Sequence, residues 1–177
     1  MILAIRRSIA VLAAFGLAVG VVVYVGSYMG LTMEGVSRWA IILHVGVFIL
    51  FIPMCFQNYS SLSDRSFFWS NFSKGRPKWV VPTIKWIGLF FLSHLLLFFV
   101  VSRASTPQIK SGQYVLDDHG QIKQVLTQRE YLHLKGAELR LFATGWMSFY
   151  VVLLFYWWFP RFPERADRDD FSASERG

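Results

Sequence analysis

Four long apolar stretches, nearly free of charge, restrict what this chain can fold into more than any other feature. They cover residues 9–31, 39–56, 79–101 and 141–159. A helix rises about 1.5 Å per residue, so about 20 residues cross a hydrocarbon core roughly 30 Å thick. The second stretch is short for this but adequate. A soluble helical bundle would spread its charges along polar helix faces, whereas here they fall between the apolar stretches. With 54 % apolar and only 16 % charged residues, the composition belongs to the membrane class. The expected fold is an all-α membrane protein with four transmembrane helices.

Details within the stretches fit that reading. Arg6 and Arg7 precede the first one in the manner of a signal peptide, but it exceeds the usual apolar core of about 7 to 15 residues and is read as an uncleaved helix. Pro53 in the second is a kink that membrane helices accept. Lys85, near the start of the third, can snorkel back toward the head groups beside Lys78. Trp39, Trp79, Trp157 and Trp158 sit at the ends, where an amphipathic indole prefers the interface.

The basic residues set the orientation. Eleven of the 18 Lys and Arg residues fall in the N-terminus, the 57–78 loop with Lys85, and the C-terminal tail. The other seven, from Arg38 to Arg140, are spread over longer stretches, so the positive-inside rule places both termini in the cytoplasm. The net charge of +7 clusters beside apolar spans, which favours anionic lipid head groups over nucleic acid. Phe67, Phe68, Trp69 and Phe72, followed by Lys74, Arg76 and Lys78, suit a cytoplasmic loop lying in the head-group layer. The tail, 160–177, alternates Arg with Asp and Glu and is expected to be disordered.

The extracytoplasmic region 102–140 has its own local grammar. Residues 113–116 and 121–125 are short β-prone runs separated by Asp117, Asp118, His119 and Gly120, which reads as a small β-hairpin between helices 3 and 4. Thr127 to Glu130 matches a capping box, so a helix should begin there and continue into the fourth span.

Candidate chemistry is sparse. His44 and His94 lie five and seven residues inside the same end of their spans, a depth difference of about 3 Å. Two imidazoles at one depth could ligate a b-type haem, with Arg38 and Arg103 near its propionates; the plainer reading is interhelical hydrogen bonding. Glu130 and His133 have a metal-compatible spacing, yet a di-iron bundle needs a second such motif and further glutamates. Asp117, Asp118 and His119 read more simply as turn residues. Gly16 with Gly20, and Gly26 with Gly30, give two G-x-x-x-G spacings for close helix approach, within the chain or between subunits. The lone cysteine, Cys55, has no disulfide partner in the chain and reads as packing. Sequence signatures for nucleotide, dinucleotide, zincin and α/β-hydrolase chemistry are absent, and the spans carry no carboxylate.

The segments His44-Val45-Gly46-Val47-Phe48, Gly112-Gln113-Tyr114-Val115-Leu116 with His119-Gly120, Glu130-Tyr131, and Arg140 with Gly145-Trp146-Met147-Ser148-Phe149-Tyr150 resemble those of small bacterial inner-membrane proteins with four transmembrane helices. The resemblance runs from the second span to the fourth. It implies a bacterial inner-membrane location and carries no activity, catalytic residue or cofactor. The expected function is a non-enzymatic membrane component with a membrane-protein partner or a second copy of itself. Alternatives are haem-based electron transfer through His44 and His94 and, with less support, small-solute transport.

Overall fold

The computed structural model describes residues 2–57, 72–73, 75–102 and 105–159. The proposed aromatic cluster at Phe67, Phe68 and Trp69, Lys74, Arg103 and the tail from Pro160 lie outside these residues. Four helices, α1 (Ile2–Tyr28), α2 (Ser37–Gln57), α3 (Val80–Ser102) and α4 (Gln128–Trp158), are long and apolar enough to cross a bilayer. Between α3 and α4 stand three strands, β1 (Thr106–Lys110), β2 (Gln113–Asp118) and β3 (Gln121–Val125), in one antiparallel sheet of order β1-β2-β3.

The helix ends follow local chemistry more than the edges of the apolar runs. Helix α1 begins before Arg6 and Arg7, because a charge ends an apolar run without breaking helical hydrogen bonding. At its other end Gly30 adopts φ +95°. The Leu31 amide donates to the Gly26 carbonyl at 3.0 Å, and the Leu31 side chain packs over Gly26. This is a Schellman stop, in which the left-handed residue favours glycine. Gly26 and Gly30 thus end the helix and do not form a second helix-packing motif. Helix α2 continues through Pro53.

Helix α4 begins as the sequence predicts. The Glu130 amide donates to Thr127 Oγ1 at 3.3 Å, and the Thr127 amide donates to Glu130 Oε2 at 2.7 Å, completing the capping box. From there α4 runs 31 residues without interruption. That is about 46 Å at 1.5 Å per residue, well over one hydrocarbon thickness, so its first turns stand beyond the apolar part.

The sheet differs from the expected hairpin by a third strand, β1. The Thr106–Lys110 segment offers no alternating apolar pattern and contains Pro107, a residue that demotes a strand in sequence reading. Proline is tolerated here because β1 is an edge strand, and Pro107 is fully buried opposite Leu116. Both connections are two-residue turns with positive φ throughout, Ser111-Gly112 and His119-Gly120, the arrangement that matches strand twist. Strand β2 therefore extends through Asp117 and Asp118, and the turn is shorter than the sequence indicated.

Asp117 is buried. It accepts from Lys110 Nζ at 2.6 Å and from the Gly120 amide at 3.2 Å. The Lys110 hydrogen bond holds its carboxyl below the usual carboxylate range, helped by the Gly120 amide. Leu116, Leu126 and Leu134 join sheet to helix, with the Tyr114 and Tyr131 rings 4.8 Å apart beside them.

Helix α4 is the hub of the helices. Tyr150 is buried on it, with its ring against Gly16 of α1 and its hydroxyl crossing Gly46 of α2 to donate to the Leu43 carbonyl at 2.8 Å. Gly20 admits Met147 in the same way. Helices α2 and α3 pack on different sides of α4. Only Val80, Ile84 and Ser102 of α3 are buried, so most of that helix faces outward.

At the end opposite the sheet, Arg6 donates to the Tyr156 carbonyl at 3.3 Å and lies 5.6 Å from the Trp157 ring. Arg76 stacks on Phe72 at 4.2 Å and is itself buried. Trp39, Trp79 and Trp158 are exposed, whereas Trp157 is 3 % exposed and belongs to the core.

Thermal unfolding in detergent tests the packing around Tyr150. Tyr150→Phe removes one buried hydroxyl and should cost about 1 kcal/mol. Gly16→Leu forces a side chain into the phenol and should cost about 1–3 kcal/mol or more. Gly88→Leu is the control, since an added Cβ there meets nothing within 4 Å. Equal effects from the two leucine substitutions would contradict the packing described.

Candidate functional site: an apolar groove and two separated histidines

Because α2 and α3 flank α4 from different sides, they leave a groove of about 430 Å³ between them. Helix α4 forms its floor with Phe142, Gly145, Trp146 and Phe149. The i, i+4, i+7 spacing of the three aromatics puts them on one helix face. Phe48 and Phe51 form one wall and Phe91 and Leu95 the other. Phe51 meets Phe149 edge to face with ring centres 5.7 Å apart. A Cβ on Gly145 would lie 3.4 Å from the Phe91 ring, so the small residue lets α3 lie close to the floor. Phe48 and Phe149 are 52 % and 45 % exposed, leaving rigid aromatic surface along the rim.

His44 lines this groove. Its Nδ1 is 3.3 Å from the Trp146 indole nitrogen. An indole N–H can only donate, so Nδ1 accepts and the proton of the neutral ring sits on Nε2.

His94 lies elsewhere, in a cleft between α3 and α4 with His133 and Arg140. Its Nδ1 is 3.0 Å from the Phe90 carbonyl, and its Nε2 is 3.0 Å from the Tyr24 hydroxyl. A carbonyl only accepts, so Nδ1 carries the proton and Nε2 accepts from Tyr24. The Tyr24 oxygen, 3.0 Å from the Tyr28 hydroxyl, then accepts from Tyr28. The result is a directed chain from Tyr28 through Tyr24 and His94 to the backbone of α3.

The structure therefore does not bring the two imidazoles together. Their cavities share no lining residue. A haem iron needs a ring-nitrogen lone pair from each side. Here the His44 lone pair is taken by Trp146 and that of His94 by Tyr24. The residues as placed do not fit a bis-imidazole haem. Both side chains make interhelical hydrogen bonds instead.

The remaining candidates have structural partners. Glu130 is held by the capping box, while His133 faces the clefts at the sheet end. Asp118 lies 3.3 Å from Lys123, and His119 occupies the turn. Among the described residues, no three His, Cys, Asp or Glu side chains gather as a metal site. Lys135, which the sequence did not single out, is 3.0 Å from Glu34 and 3.2 Å from Glu138. Burial opposes ionisation of Glu34, but hydrogen bonds from its own backbone amide, Lys135 and Thr32 outweigh it and hold the carboxyl low. This pair ties the α1–α2 connection to the projecting part of α4.

Comparison of the chain with protein-family models, curated proteins and solved structures finds no match in any of the three.

Nitrogen NMR of histidine-labelled protein checks the two hydrogen-bond assignments. His44 should be the Nε2–H tautomer and His94 the Nδ1–H tautomer, and Trp146→Phe should disturb the first signal alone. The same tautomer at both positions would contradict the geometry.

Proposed function

We propose that the chain is a multi-pass protein of the bacterial inner membrane, with both termini cytoplasmic, and that it is a non-enzymatic component docking a partner's transmembrane helix in the groove between α2 and α3. The groove is the observation that carries this reading. A helix laid into it would complete a ring of neighbours around α4. Within lipid, apolar surfaces gain little by leaving hydrocarbon, so helices associate through close packing and small-residue contacts. The groove supplies both, with aromatic rims at Phe48 and Phe149 and Gly145 in the floor. Aromatic side chains also serve as low-entropy anchors at protein interfaces.

Orientation rests on charge and on the shared location of two helix ends. The start of α1 and the end of α4 meet through Arg6 and Tyr156, and the basic excess of the sequence falls at that end. The sheet then faces the extracytoplasmic side. The groove lining packs well against hydrocarbon and holds one ionisable side chain, His44, a poor basis for acid–base or nucleophilic catalysis.

Photo-crosslinking in native membranes tests the docking. A benzoyl-phenylalanine at Phe48 or Phe149 should capture a second polypeptide, while the same probe at Phe15, which is 65 % exposed on α1, should not. A product of twice the chain's own mass would assign the partner as a second copy. Recovery of uncrosslinked chain alone from both groove positions, or equal capture from Phe15, would contradict the proposal.

A further inference from the structure

Arg140 is half-buried on α4, on the face turned away from the groove. Its guanidinium carbon lies 4.6 Å over the Tyr28 ring, and a guanidinium's five N–H donors suit a forked acceptor such as a phosphate. Among the described residues no carboxylate lies within ion-pair distance of it. The nearby Glu34 and Glu138 are both engaged by Lys135. A partly buried cation with no counter-ion is costly, and an anion brought to it relieves that cost.

The surroundings specify what kind of anion fits. Side chains on a helix lean toward its N-terminus, and Arg140 does so here: a Cβ on Gly136 would lie 3.3 Å from one of its guanidinium nitrogens. The charge is thereby carried up the helix toward His133, on the same stripe through Ala137. Together they line a cleft of about 200 Å³ whose opposite wall on α3 is His94, engaged by Tyr24, followed by the apolar Leu97, Phe98 and Val101. Leu97 is 58 % exposed, so this wall opens sideways onto the surface that would meet hydrocarbon. At its upper end the cleft shares Val101 and His133 with a second cleft of about 340 Å³ beneath the sheet, whose polar lining is Gln124, Arg129 and Glu130, the last engaged in its capping box, beside Leu116, Leu126 and Leu134.

Apolar wall, cationic centre and polar chamber thus follow one another along the helix axis. We propose that this site binds a membrane phospholipid of the leaflet on the sheet side. Its acyl chains lie along α3, its phosphate sits between Arg140 and His133, and its head group enters the chamber under the sheet. Free phosphate shares the central chemistry but makes no use of the apolar wall. The inference rests on the bilayer reading and is independent of helix docking in the groove.

Native mass spectrometry of the full-length chain in detergent tests the site with three probes: phosphatidylglycerol, diacylglycerol with the same chains, and inorganic phosphate. The wild type should retain one phosphatidylglycerol and discriminate against the other two. Arg140→Gln should weaken retention by at least about tenfold, the loss expected when a charge-assisted fork is removed. His133→Asn, at an exposed position that carries little of the fold, should weaken it to a smaller degree and keeps the test decisive if the first variant does not fold. Undiminished retention in His133→Asn together with Arg140→Gln, or in His133→Asn alone if Arg140→Gln is unfolded, would overturn the site. Equal retention of diacylglycerol would overturn the phosphate contact, and displacement of the lipid by equimolar inorganic phosphate would overturn the lipid as its source.

Discussion

The structure depends most on the contact of Tyr150 with two glycines on two other helices. Its ring occupies the space beside Gly16, and its hydroxyl reaches across Gly46 to a backbone carbonyl of α2. In water, burial of so much apolar surface would hold the helices together. A bilayer, which the four helices are long and apolar enough to cross, would offer no such drive, and close packing with a few interhelical hydrogen bonds would serve instead. A tyrosine facing two residues that lack a Cβ combines both terms at one point. It fixes α1 and α2 on α4, and with α3 seated on another side of that helix, the groove between α2 and α3 is a consequence of the same arrangement.

Helix α4 also links two chemically different environments. Its later turns are the apolar floor of the groove, with Trp146 holding His44. Its earlier turns carry the capping box, the Lys135 contacts to Glu34 and Glu138, and the leucines that seat the sheet. Between these regions lie the Tyr28–Tyr24–His94 chain and Arg140. The polar side chains of this level are gathered on the α1 and α3 sides of α4, away from the groove. That division separates a surface suited to another helix from one suited to an ionic head group.

Much of this was legible in the residues. Four helices follow from the apolar runs, because a membrane leaves few ways to satisfy backbone polar groups, and the start of α4 follows from Thr127 and Glu130. Strand β1 was hidden, since Pro107 is acceptable only at an edge that sequence does not reveal. Gly26 and Gly30 have the spacing of a helix contact and serve as a helix stop, a distinction made by the φ of Gly30. The shared depth of His44 and His94 was readable, but depth does not give direction around a helix axis. A span that is apolar all round offers no periodicity from which to read its inner face, so the partners of the two rings, like the buried placement of Trp157 and Arg76, required the structure. The groove left a faint trace in the spacing of Phe142, Trp146 and Phe149, which in an apolar span is hard to distinguish from ordinary lipid-facing aromatics.

Placement of the sheet and of the loop before α3 on opposite sides of a bilayer is the premise beneath both proposed sites. Single cysteines at Gln121 and Ser73, each in a Cys55→Ser background, can be treated with a membrane-impermeant maleimide on intact cells whose outer barrier has been opened. The account predicts labelling of position 121 at once and of position 73 only after the inner membrane is breached. Simultaneous labelling of both positions before that breach would contradict it.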